Sequence, residues 1–210
     1  MVYILLAPGF EEAEALVPAD LLRRAGMETA LVSLGGEFVP GSHAITVKAD
    51  LVLDQVDLVR ADMVVLPGGG AGVENLGKDP RVEALVRAAA KQNIWLAAIC
   101  AAPTLFSRWG LLEGKAAVCY PSWADRLTGA DYRPEDKLAV DGKFITARAA
   151  GASVDFGLKL VEVLAGEEKA EEVRHGIYYC GREKGPAPAH PQGAGCPDPG
   201  GAAAQRPGAV

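Results

Sequence analysis

The chain has 210 residues, half of them hydrophobic, with few aromatics and a formal net charge of −6 at pH 7. That length suits one domain, or one domain with an appendage, and the apolar content is ample for a core. The acidic balance argues against nucleic acid as a partner, because no excess of Lys and Arg exists to neutralise phosphates, and it leaves small substrates open.

The opening run Met1-Val2-Tyr3-Ile4-Leu5-Leu6-Ala7 has no basic residue before it and stops at Pro8-Gly9, so a first strand is expected and not a signal peptide. No apolar run approaches the length needed to cross a membrane. Glu11-Glu12-Ala13-Glu14 then starts a helix expected to run to about Ala25, with Gly26 as its stop. Acidic residues in a first turn complement the helix dipole, which accounts for a charge excess but not for a role of any one glutamate. Glu28–Leu34 reads as a second strand, and residues 37–53 as short β-rich segments around Ala44–Val47 and Leu51–Leu53.

Met63-Val64-Val65-Leu66 is a continuous apolar strand that ends in Pro67-Gly68-Gly69-Gly70. A glycine run directly after a parallel strand leaves backbone N–H groups free to approach a ligand. It is not GxGxxG and no GKS/T follows, so a nucleotide loop is poorly supported. Asp79-Pro80 supplies an N-cap and a first-turn proline for a helix to about Gln92.

Ile94-Trp95-Leu96-Ala97-Ala98-Ile99 is apolar throughout, as expected of a strand buried on both faces. Cys100 ends it, and Ala101-Ala102-Pro103-Thr104 opens a helix expected to reach about Leu112. Cys100 therefore sits at a strand-to-helix elbow facing unpaired N–H groups, an environment that favours thiolate over thiol. A buried core cysteine explains the same stretch equally well, since free Cys is among the most buried residue types.

Beyond it, Lys115–Cys119 reads as a short strand, Ser122–Leu127 as a short helix, and Leu138–Thr146 as a hairpin around Asp141-Gly142. Helices are expected at about Ser153–Leu164 and Glu168–Arg174. Alternating strands and amphipathic helices specify an α/β sandwich around a mostly parallel sheet, where ligands bind beyond the carboxyl ends of strands. Pro8–Glu14, Pro67–Gly70 and Cys100 are such ends. From Gly181 to Val210 the chain has no Leu, Ile, Phe, Trp or Tyr and is rich in Gly, Pro and Ala, so residues 1–180 are expected to form the domain and 181–210 a disordered tail. The cysteines, Cys100, Cys119, Cys180 and Cys196, form no CxxC pair, so neither a zinc site nor a disulfide framework is indicated. Reduced thiols in a cytoplasmic setting are the expectation, with Cys119 and Cys180 incidental, His43 a solvated loop residue and Arg24 a helix-end charge.

Ala7-Pro8-Gly9-Phe10-Glu11-Glu12-Ala13-Glu14, Leu66-Pro67-Gly68-Gly69 and Ala97-Ala98-Ile99-Cys100-Ala101-Ala102-Pro103 together resemble the DJ-1/ThiJ/PfpI superfamily, in its DJ-1 branch, over about residues 1–179. The resemblance implies a flavodoxin-like three-layer sandwich, usually a homodimer, with no cofactor and no metal. It implies Cys100 as nucleophile, Glu14 as the carboxyl group beside its sulfur, and Gly69 and Ala101 as N–H donors around it, with Gly68 in the same loop. Where several members carry a histidine this chain has Tyr120, and Ala101 stands where the PfpI branch has a histidine, so a Cys-His-Glu triad and protease chemistry are not expected. The activity implied is glutathione-independent conversion of 2-oxoaldehydes such as methylglyoxal, a small reactive carbonyl, through a Cys100 hemithioacetal with Glu14 as general acid/base; protein or nucleotide deglycation is the related possibility. The alternative implied is a redox sensor or chaperone in which Cys100 is oxidised to a sulfinic acid beside Glu14. Thiazole biosynthesis, an old label of the superfamily, has no specific support in these residues.

Overall fold

Strands made only of apolar residues must be covered on both faces, and helices here cover both. The computed structural model describes residues 1–180, so the expected tail, Gly181–Val210 with His190 and Cys196, lies outside the described residues. In chain order the elements are β1 (Val2–Leu6), α1 (Glu12–Arg24), β2 (Thr29–Ser33), β3 (Phe38–Pro40), β4 (Thr46–Lys48), β5 (Leu51–Val52), β6 (Met63–Leu66) and α2 (Gly70–Lys78). They continue with α3 (Pro80–Lys91), β7 (Trp95–Ile99), α4 (Pro103–Arg108), β8 (Ala116–Ala117), β9 (Asp131–Tyr132), β10 (Leu138–Asp141), β11 (Phe144–Ala147), α5 (Ser153–Ala165) and α6 (Glu167–Gly176). Between β8 and β9, Pro121–Arg126 forms a 3₁₀ segment where a short helix is expected.

One sheet has the strand order β10-β11-β7-β6-β1-β2-β5, parallel throughout except for the β10–β11 hairpin. The α/β, flavodoxin-like sandwich with a mostly parallel sheet is thus the fold. Successive residues of a strand point to opposite faces, and the two cores divide accordingly. Val64, Leu66, Leu96 and Ala98 pack with Val73, Val82 and Phe106 of α2, α3 and α4. Met63, Val65, Ala97 and Ile99 pack with Ala15, Leu22, Phe156 and Leu160 of α1 and α5. The expected hairpin turns at Asp141-Gly142, and β11 then runs parallel to β7, so that Cys100 N donates to Ala147 O at 2.9 Å.

Helix α2 and the two-residue strand β9 are not shown by sequence patterning, the helix because its three glycines weigh against one. Packing explains two of them. A Cβ on Gly72 would stand 2.7 Å from the Phe10 backbone, and one on Gly77 2.6 Å from the Arg108 guanidinium. Val73 and Leu76 bury the helix against the core, outweighing the poor propensity.

The β3–β4 hairpin lies off the main sheet and is tied to the start of α1. Glu12 makes that tie: Oε1 accepts from the His43 backbone N–H at 2.7 Å, and Oε2 lies 3.0 Å from His43 Nδ1 and 3.1 Å from Ser42 Oγ. Burial alone would raise the Glu12 pKa, but the hydrogen bonds from His43, the backbone and Ser42 outweigh it and lower the pKa to about 2. His43 is exposed, as a loop residue should be, but it is held by this carboxylate and its own pKa is raised, first by the Glu12 hydrogen bond.

A folded-state pKa below the unfolded one contributes stability above the unfolded value, and that contribution is lost as pH falls through the folded value. Glu12→Gln is therefore expected to lower Tm at neutral pH, with the gap to wild type closing between the ordinary carboxylate range and about pH 2. Thermal melts across that range check it. A gap independent of pH would assign the effect to packing instead of charge.

Candidate active site

Strands β1, β6 and β7 are neighbours in the sheet, so the loops after their carboxyl ends lie side by side. Each delivers one part of the site. After β1, Pro8–Phe10 turns the chain into α1 and places Glu14 in its first turn. After β6, Gly68 and Gly69 lead into α2, and after β7, Cys100 leads into α4. All six residues singled out from sequence, Glu14, Gly68, Gly69, Cys100, Ala101 and Tyr120, come together here; all but Gly68 line one pocket of about 340 Å³. Gly68 lies directly behind it.

The backbone is built for close approach. Cys100 has φ = +66°, a left-handed conformation that costs a non-glycine residue energy and holds its side chain at the elbow. Gly69 has φ = +86°, and a Cβ there would stand 2.3 Å from Gly9 O and 2.6 Å from Glu11 N. A Cβ on Gly68 would meet Glu14 Oε2 at 2.4 Å and Cys100 Cβ at 2.5 Å. Only glycine lets the loop pass between the carboxyl group and the cysteine. The loop is tied from both sides, with Glu11 N donating to Gly68 O at 3.0 Å and Gly68 N donating to Glu14 Oε2 at 2.9 Å.

Glu14 is 1% exposed, and its Oε1 is buried without a hydrogen-bond partner among the described residues. Burial pushes its pKa up to about 7, against the opposing effects of the Cys100 thiol and the Gly68 N–H. The Cys100 thiol is pushed up to about 12, first by burial and then by the Glu14 charge, while the N–H groups of Gly69 and Ala101 act the other way. The two groups act on each other directly: the thiol lowers the carboxyl pKa, and the carboxylate raises that of the thiol through its charge and through hydrogen bonding. The expectation that the elbow favours a thiolate is thereby corrected. Desolvation and a neighbouring carboxylate outweigh the N–H groups and favour the protonated sulfur. Two ionisable groups compete for one proton within one pocket.

Tyr120 stands at the pocket's rim, 44% exposed, and its backbone N–H donates to Cys100 O at 2.7 Å. Trp123, Glu11 and the Ala149–Gly151 turn complete the lining. Trp123 has no sequence signature of its own; only its position three residues after Tyr120, which caps the 3₁₀ segment, points to it. Among the described residues, no histidine lines the pocket. Among the described residues, Glu11, Glu12 and His43 bring possible ligand atoms within 4.8 Å of one another, a grouping that sequence spacing hides. Both Glu12 oxygens there already accept hydrogen bonds from the loop. Cys119 is a buried thiol. Arg24 pairs with Asp20 one turn earlier on α1. No helix among the described residues is long and apolar enough to cross a membrane.

The family described as DJ-1/PfpI matches residues 1–163. Protein dj-1beta of Drosophila melanogaster is 41% identical over 176 residues, covering 83% of this chain and 94% of that protein. Its crystal structure superposes with a TM-score of 0.80 at 39% identity, over 84% of this chain and 96% of that one. Toxoplasma gondii DJ-1, solved in an oxidized form, gives a TM-score of 0.80 at 34% identity, over 85% and 97% of the two chains. A Caenorhabditis elegans protein named as the glutathione-independent glyoxalase DJR-1.2 is 29% identical over 172 residues, covering 81% of this chain and 91% of that protein.

Gly68→Ala is expected to push Glu14 and Cys100 apart while the sheet stays intact. The measurement is site-resolved alkylation of Cys100 against pH, which should shift its midpoint while circular dichroism is unchanged. An unaltered alkylation profile would mean that the loop tolerates a methyl group and does not set the Glu14–Cys100 geometry.

Proposed function

The chain belongs to the DJ-1/PfpI family, and on that premise we propose that it converts small 2-oxoaldehydes such as methylglyoxal to 2-hydroxy acids without glutathione. The observation that carries this proposal is the buried Glu14 carboxyl group beside Cys100, raised to about 7 and with one oxygen unpartnered. A general acid/base works best when its pKa lies near the operating pH, and burial has put Glu14 there.

The thiol proton passes to the carboxylate as the Cys100 sulfur adds to the aldehyde carbon, giving a hemithioacetal. The N–H groups of Gly69 and Ala101 are placed to stabilise the oxyanion that develops at that carbon. Glu14 hands the thiol proton to the oxyanion, and its carboxylate then removes the hydrogen from the former aldehyde carbon, giving an enediolate. The same carboxyl group delivers this proton to the adjacent carbon while the hydroxyl proton of the first carbon passes to the neighbouring oxygen, which leaves a thioester of the 2-hydroxy acid. Water cleaves that thioester, releasing the acid and restoring the thiol. Every proton taken is returned, and no cofactor is consumed. The C. elegans relative named as a glyoxalase supports this chemistry, as does the modest pocket volume. The proposed assembly is a homodimer, in keeping with the family.

A second reading has one observation in its favour, the oxidized form of the Toxoplasma relative. In it, two equivalents of peroxide convert the Cys100 thiol to a sulfinic acid with release of two waters, and Glu14 hydrogen-bonds the product.

Steady-state production of lactate from methylglyoxal separates the two. Wild type should turn over, Cys100→Ser should be inactive, and Glu14→Gln should lose about 100-fold or more in kcat, the range for removing a general acid/base. No turnover by wild type, together with a single stoichiometric oxidation of Cys100 by peroxide, would establish the sensor in place of the enzyme.

A further inference from the structure

A second cleft, of about 260 Å³, adjoins the Cys100 pocket and shares Trp123 with it. Each of its walls continues a wall of the first pocket. On α2, Gly70 lines the cysteine pocket, and Val73 and Glu74, one turn on, line the cleft. At the α4 elbow, Ala101 lines the pocket and Thr104 and Arg108 line the cleft. At the 3₁₀ segment, Tyr120 just before it and Trp123 within it give way to Arg126. A molecule whose carbonyl group reaches Cys100 thus has a groove for its tail, leading past the indole of Trp123.

The chemistry of the cleft differs from that of the pocket. Among the described residues, the pocket carries two carboxyl groups, Glu11 and Glu14, and no cationic side chain. The cleft carries two guanidinium groups and one carboxylate. The Arg126 guanidinium lies over the Trp123 ring, with Cζ 4.1 Å from the centroid, and forms no salt bridge among the described residues. Stacking fixes the plane of its N–H fork while leaving the donors open to an incoming oxygen pair. Arg108 spends one N–H on Gly77 O and is otherwise without an anionic partner among the described residues. The cleft's carboxylate, Glu74, is turned toward Lys78 at 4.0 Å. Two guanidinium groups lining one small cleft with apolar walls supply the donors that recognition of a carboxylate or phosphate oxygen pair requires.

We propose that this cleft is a subsite for the anionic tail of the substrate, so that the preferred substrate is a reactive carbonyl compound carrying a carboxylate or phosphate group. The inference rests on the Cys100 chemistry proposed above for its reaction, but not for its geometry.

The test uses the full chain and two alkylating reagents that differ only in their tails, N-propyl iodoacetamide and N-iodoacetyl-β-alanine. Each transfers its acetamide carbon to the Cys100 sulfur with loss of iodide, read by peptide mass spectrometry at alkaline pH. N-acetylcysteine gives the reference ratio of the two rates. Wild type should favour the carboxylate-bearing reagent by about tenfold over that reference, and Arg126→Gln should bring the ratio back to within about twofold. The neutral reagent's rate in each variant reports that the pocket has folded. A phosphonate-tailed third reagent separates the two anion types: preference for it over the carboxylate assigns a phosphate-bearing substrate, and the reverse a carboxylic one. A wild-type ratio at or below the reference, as Glu11 and Glu14 alone would produce, overturns the proposal. So does a ratio that survives Arg126→Gln. Methylglyoxal turnover is measured in parallel: its absence with the ratio intact removes the proposed reaction and leaves the subsite, whereas turnover with no ratio removes the subsite alone.

Discussion

The site depends on one buried carboxyl group. Glu14 sits in the first turn of α1, almost wholly removed from water, with the Gly68 N–H on one oxygen and the Cys100 thiol close by. An isolated carboxylate there would be costly, so the pocket holds a proton that it is ready to give up near neutrality. Everything around the pair enforces that closeness. Gly68 leaves room for it, the left-handed Cys100 backbone aims the sulfur, and β1, β6 and β7 lie side by side so that their loops meet.

Much of this was legible in the chain. The apolar runs Met63–Leu66 and Ile94–Ile99 announce doubly covered parallel strands, and strand ends in such a sheet are where ligands bind. The Asp79-Pro80 cap and the Asp141-Gly142 turn mark their elements because each has a local physical signature. Helix α2 escaped because its glycines serve contacts with Phe10 and Arg108 that are remote in sequence. Glu12 looked like a dipole complement, yet its carboxylate anchors a loop some thirty residues away, a pairing that spacing does not encode.

The protonation of Cys100 was the least legible feature. An elbow opening a helix suggests a thiolate, and that expectation omits two remote effects, burial and the Glu14 charge. Both are properties of the assembled site. The departure is informative, because it moves activation of the sulfur from the helix terminus to the carboxyl group. With no histidine lining the pocket among the described residues, Glu14 is the side chain placed to take the thiol's proton.

The most direct measurement is the ionisation of Glu14 itself, followed by carbon NMR of the ¹³C-labelled side-chain carboxyl groups against pH, with Glu14→Gln identifying the resonance. The account predicts a midpoint close to 7, displaced when Cys100 is replaced by Ser. A midpoint near 4.5, the ordinary value, would show a carboxylate that holds no proton at neutral pH and would contradict the shared-proton site.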